Sequence, residues 1–291
     1  MSQIKLPLQC GEAIVLQGNY DGSAADFSAL ARLTHTGLLA NTEQVPHSVC
    51  ENPDWQVPVH LHKLFNSGTV DVFYDSERKQ CRMQIKTPDR LCRHKLGVFL
   101  WQISVIGASM CAILRGSKSH LMHCAMLEKD QRALLLCGES GIGKSTSVRR
   151  YREAGGQAVA DDMVLLEYTS NDNIYVHRLP TWSSCRENAE SLELLSYPFN
   201  PPLRLDGVLA ISRGQECESI KPVSQAEFFA QIYRCMFFHY LNICGNLPDW
   251  EKKQLAQVLR TSCTELTKRY VPRAFFAHLQ GNITETLKEI L

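Results

Sequence analysis

Residues 138–145 read Gly-Glu-Ser-Gly-Ile-Gly-Lys-Ser, a G-x-x-x-x-G-K-S pattern that directly follows the apolar run Ala133–Cys137. Thr146–Arg152 continues beyond it without Gly or Pro. A strand, a glycine-rich turn and a helix are therefore expected in that order, which commits the chain to an α/β architecture. The order follows from charge. Gly138, Gly141 and Gly143 let the backbone turn N–H groups inward, and those of Ser140, Ile142 and Thr146 complete a cradle for phosphate oxygens. The helix N-terminus adds its positive end, Lys144 reaches the β/γ-phosphates, and the Ser145 hydroxyl is a ligand for Mg²⁺. The motif implies a bound nucleoside triphosphate.

A phosphate-bound Mg²⁺ needs an acid facing it, and Asp161 and Asp162 stand in the otherwise apolar segment 158–166, seventeen residues after Lys144. Two carboxylates in such a run are expensive to bury unless a cation pairs with them or they occupy a strand break. One acid can hold the metal while the other accepts the proton of an acceptor hydroxyl, the division of labour that phosphoryl transfer requires. The chain has no D-x-x-G and no N-K-x-D, which argues against a Ras-like GTPase.

At 291 residues, with 44% hydrophobic and 21% charged residues, the chain has the composition of a globular protein. Its formal charge of +1 gives no general attraction to nucleic acid or anionic lipid. The twelve cysteines are scattered, with no C-x-x-C pair, and read as reduced thiols of a cytoplasmic protein. His60/His62 and His120/His123 lack a third ligand at a useful spacing, so no zinc or iron–sulfur site is expected. The uncharged stretch Leu96–Leu114 is long enough to span a bilayer, but its polar residues and glycines favour a buried helix.

Residues 1–88 read as a small β-rich N-terminal lobe, including a hairpin of Thr69–Tyr74 and Cys81–Ile85. Residues 89–291 read as the phosphate-loop domain with a C-terminal helical segment. Within it, His120–Leu127 and Arg132–Cys137 form a second hairpin and Gln157–Tyr168 a single strand. Strands follow at Ile174–Leu179 and Leu205–Ser212. Helices are expected at Ser224–Cys244, where Ser224 and Glu227 form a capping box, and at Asp249–Tyr270. A strand at Ala274–Leu279 and a helix at Thr284–Leu291 close the chain.

The order His123, hairpin, Cys137–Ser145, Ala160-Asp161-Asp162 resembles the HPr kinase/phosphorylase fold, akin to phosphoenolpyruvate carboxykinase, over residues 90–215. The resemblance implies a β-rich phosphate-loop core with a mixed sheet and flanking helices, unlike the usual doubly wound sheet. It also implies ATP- and Mg²⁺-dependent phosphorylation of a serine-type hydroxyl. Asp162 is then the general base, Asp161 the metal ligand and His123 the group that orients the base, with the two aspartates interchangeable at this stage. The chain lacks the glycine-rich stretch that follows the aspartates in HPr kinases, and Cys124 stands where Gly or Ala is usual. The reverse reaction and HPr as substrate are therefore not carried over.

The segments 177–183, 211–214 and 221–227 look more like the HPr-kinase-related proteins of peptide-maturation clusters, among them lasso-peptide precursor kinases and the SynChlorMet cassette protein. A Ser or Thr hydroxyl on a peptide or protein is then the acceptor. Arg178, Arg213 and Lys221 would neutralise phosphate or hold an acidic peptide end, and Trp182 would give a flat contact. No membrane or nucleic-acid partner is implied, and a homo-oligomer is compatible with the resemblance. Two rivals share the motifs: a kinase for a small molecule such as free serine, and a nucleotide-dependent switch that transfers nothing.

Overall fold

The computed structural model describes residues 2–7, 13–18, 55–59, 68–75, 80–86, 119–169, 171–178, 202–214, 217–243, 248–278, 280–288 and 290. In the N-terminal part β1 (Ser2–Pro7) pairs antiparallel with β2 (Ala13–Gly18). β3 (Trp55–Val59), β4 (Gly68–Asp75) and β5 (Gln80–Lys86) form an antiparallel meander. The β4–β5 pair is the hairpin expected at Thr69–Tyr74 and Cys81–Ile85. Leu96–Leu114 and Trp182 lie outside the described residues.

The remaining strands build one mixed sheet. It contains β6 (Ser119–Met122), β7 (Cys124–Lys129), β8 (Arg132–Cys137), β9 (Gln157–Ala160), β10 (Val164–Tyr168), β11 (Ile174–Arg178) and β12 (Leu203–Arg213) in the order β6-β10-β11-β12-β8-β7-β9. β13 (Ser219–Pro222) and β14 (Arg273–Ala277) extend it from β12. β8 and β14 run parallel to β12, and the other pairs are antiparallel. The strand that feeds the phosphate loop thus has an antiparallel hairpin partner in β7, which a doubly wound sheet would not give it.

Helices cover both faces. α1 (Lys144–Glu153) and the short α4 (Ile283–Leu287) lie against one face. Val148, Tyr151, Ile283 and Leu287 pack there with Leu134, Leu136, Leu209, Ile211 and Phe275. Because neighbouring residues of a strand point to opposite faces, Cys137 points the other way, where its thiol meets Cys235 of α2 (Gln225–Ile243). Buried Phe228, Ile232, Cys235 and Met236 recur at helical spacing along α2. α3 (Asp249–Arg269) packs beside it, with the Cys263 thiol 3.2 Å from the Met236 sulfur. The capping box at the start of α2 is formed: the Ser224 hydroxyl accepts from the Glu227 N–H, and the Glu227 carboxylate accepts from the Ser224 N–H.

Two expected strands are each two strands. His120–Leu127 breaks at His123 into β6 and β7, and Gln157–Tyr168 breaks at 161–163 into β9 and β10. β6 pairs with β10 and β7 with β9; the register carries across the gap, from Met122 opposite Val164 to Met126 opposite Ala160, and then shifts by one residue at a bulge that sets Leu127 opposite Ala158. β10 also lies against β7. The sheet path therefore returns on itself, and the seam where its two ends meet is bounded by the two breaks. β13 is a further strand that the residue pattern does not announce.

Candidate active site

The phosphate loop has the shape the motif demands, with one reassigned glycine. Gly141 (φ 78°) and Gly143 (φ 119°) occupy the left-handed region, where a side chain would strain the backbone. Gly138 does not. It is needed because a Cβ there would stand 2.6 Å from Ile211 Cγ2 and 3.0 Å from Ile142 Cγ2. The turn is closed by the Ile142 N–H donating to Glu139 O, and Gly143 caps α1 without a side-chain acceptor on the first N–H groups. Ser140, Gly141 and Ser145 are exposed, and Ile142, Gly143 and Thr146 half-buried. The helix end that would meet an anion is thus open to one.

Lys144 is buried, at 5% exposure, and its ammonium donates to Gly138 O at 2.7 Å and to Glu139 O at 2.9 Å. Burial pushes its pKa below the ordinary lysine value, and neighbouring Cys235, Cys124, Cys137 and Asp162 oppose that shift. Asp162 is thus close enough to be felt by the lysine of the loop. Three thiols floor the site. Cys124 and Cys137 are direct cross-strand partners, and Cys235 reaches Gly138 O at 3.6 Å. The Cys137 thiol is pushed well up by burial first, and that of Cys235 by its hydrogen bond with Cys137 first and then by burial. Protonated, buried thiols are packing groups rather than nucleophiles.

The seam between the sheet's ends supplies the acids. Asp161 and Asp162 sit in the break between β9 and β10, at 3% and 1% exposure, and His123 in the break between β6 and β7 at 7%. His123 Nδ1 lies 3.5 Å from Asp162 Oδ1. The His123 N–H, freed from the ladder by the break, donates to Cys235 O of α2 at 2.9 Å. This bond satisfies a buried donor that the strand break would otherwise strand. Both breaks fall at the end of the sheet where β8 delivers the phosphate loop.

Of the basic residues singled out from the sequence, Arg178 is buried and pairs across from Val164, just beyond the acid-bearing break. Arg213, at the end of β12, reaches the loop itself, its guanidinium donating to Gly141 O at 2.9 Å. Lys221 is not brought to the loop by any bond: it lies on β13, two strands from β12, with its ammonium 5.5 Å from the Phe276 ring centre. His177 is tied instead to buried Glu167, at 2.6 Å. Sequence reasoning missed three participants, Glu139, Arg234 and Cys235. Arg234 on α2 pairs with Glu139 of the loop at 2.5 Å, a contact between residues too distant in the chain for any spacing rule to expose.

The donors present fit Mg²⁺. They are hard oxygens, a hydroxyl and two carboxylates, whereas no group of three or more His, Cys, Asp or Glu among the described residues is arranged to hold a metal. Mg²⁺ at a phosphate site needs no such cage, since one or two carboxylates and the substrate's phosphates suffice.

The model of the SynChlorMet cassette protein ScmC family matches residues 97–291, well over half of the chain. Among solved structures the chain is similar to the Hpr(Ser) kinase/phosphatase from Coxiella burnetii, at 15% identity over 35% of this chain and 72% of that one, with a TM-score of 0.25. No curated protein matches.

Proposed function

The chain belongs to the SynChlorMet cassette protein ScmC family, and from its loop and acid seam we propose that it is an ATP- and Mg²⁺-dependent kinase. The γ-phosphoryl group passes to a Ser/Thr-type hydroxyl of a peptide or protein, a precursor peptide of a maturation pathway in keeping with the cassette of the family's name. The observation that carries this reading is the His123–Asp162 contact of 3.5 Å at the end of the sheet where β8 runs into the loop. A module that only binds nucleotide has no need of a buried carboxylate with an orienting imidazole at the phosphate end.

In this reading the N–H groups of residues 138–146 and the Lys144 ammonium hold the triphosphate. Lys144 exchanges its bonds to the Gly138 and Glu139 carbonyls for phosphate oxygens. Ser145 and Asp161 would hold Mg²⁺, which when bound neutralises charge on the β/γ oxygens. Asp162 takes the acceptor's hydroxyl proton, and His123 fixes the carboxylate that does so. Arg213, already on the loop, adds positive charge at its rim, and Arg178 lies beside the acids. The acids and imidazole of the seam are nearly fully buried, so each charge acts there more strongly than in water.

The test incubates the protein with γ-labelled ATP, Mg²⁺ and precursor peptides carrying Ser or Thr, beside their Ala-substituted forms and free serine. Label on the peptide that is lost with the hydroxyl is the expected result. Label on free serine alone would replace the peptide by a metabolite. ATP binding without transfer to any acceptor would make the protein a switch.

A further inference from the structure

We propose that Arg234 is a ligand of the donor nucleotide's phosphates, stored on Glu139 and passed from that carboxylate to phosphate when the triphosphate enters the loop. The inference rests on the reading of residues 138–145 as a triphosphate site. Glu139 is the only acid within the loop. Its charge works against the polyanion that the surrounding N–H groups and Lys144 are arranged to attract. Arg234 Nη1 stands 2.5 Å from Glu139 Oε1 and cancels that charge, while both side chains remain open to water at 63% and 60% exposure. An ion pair so exposed is weak and readily exchanged.

The exchange needs little movement. The residue next to Arg234 is anchored to the site twice, Cys235 Sγ on Gly138 O and Cys235 O on the His123 N–H. The helix backbone is therefore fixed against the loop, and only the long Arg234 side chain need turn. A guanidinium suits the task, because its planar fork meets two phosphate oxygens at once. Arg213 differs: it is bonded to a backbone carbonyl of the loop, which carries no charge to repel phosphate.

The experiment measures binding of inorganic tripolyphosphate and of Mg·ATP to the full chain by calorimetry, for wild type, Arg234→Gln, Glu139→Gln and the double variant, at two salt concentrations. Arg234→Gln should weaken tripolyphosphate about tenfold, the loss of a charge-assisted contact, and reduce the salt dependence. Glu139→Gln should tighten it severalfold. The double variant should bind about tenfold more weakly than Glu139→Gln alone. If instead the double variant equals Glu139→Gln, Arg234 merely neutralises Glu139 and the proposal fails, although the loop reading survives. If wild type binds neither probe, the loop reading falls and takes the proposal with it.

Discussion

His120 shows what burial does to one titratable side chain in this sheet. It sits on β6, edge-on to the Tyr168 ring at 5.2 Å, and burial pushes its pKa from 6.5 down to about 4. The unfolded chain therefore takes up the proton at a higher pH than the folded one. The stability this neutral histidine supports is complete above pH 6.5 and drains away as pH falls from 6.5 toward 4. Between pH 7.5 and pH 5 the loss is about 2 kcal/mol, from ~1.4 kcal/mol per pKa unit. Urea unfolding at the two pH values should show that drop in wild type and a smaller one in His120→Leu. An equal drop in both would assign the pH dependence elsewhere. Single residues also carried the clearest messages in the sequence. Lys144, Ser145 and the aspartate pair sit in patterns whose chemistry is local, so they could be read without a fold.

At the scale of elements, the phosphate loop is held from below by packing. Gly138→Ala would drive a methyl group into Ile211, whose branched side chain cannot step aside, and against the Ile211 carbonyl at 3.1 Å. The expected outcome is a destabilisation of about 1–3 kcal/mol, seen as a lower melting temperature together with weaker ATP binding. An unchanged melting temperature would show that β12 is not the loop's floor. Elements with a strong local signal were legible: the β4–β5 hairpin, β8, α1, and α2 with its capping box lie close to their expected bounds, whereas β7, the partner of β8, starts only at Cys124. The two strand breaks were not. His123 is flanked by apolar residues on both sides, so nothing local to it announces a break. Closure of the sheet, a property of distant strands, decides where the ladder stops. The aspartates did hint at it, since a buried acid pair is tolerated at a break and not within a continuous strand. Lys221, far along the chain from both the loop and the aspartates, is set on β13 with its ammonium 5.5 Å from the Phe276 ring centre.

For the molecule as a whole, the mixed sheet does two jobs with one fold. Its centre, β8 and β12, presents the loop of residues 138–145, and its two ends meet in a seam that collects His123, Asp161 and Asp162 beside that loop. α2 joins the halves, touching Gly138 through the Cys235 thiol and His123 through the Cys235 carbonyl. In the proposed reading, donor and acceptor machinery are built from different parts of the chain and brought into register by closure. The most direct test of this account is single-turnover transfer from γ-labelled ATP to a precursor peptide by wild type and Asp162→Asn. Nucleotide binding is measured alongside. The account predicts that the variant binds Mg·ATP with nearly unchanged affinity and transfers at least about a hundredfold more slowly, the usual scale of a lost general base. Transfer by Asp162→Asn at the wild-type rate would contradict it.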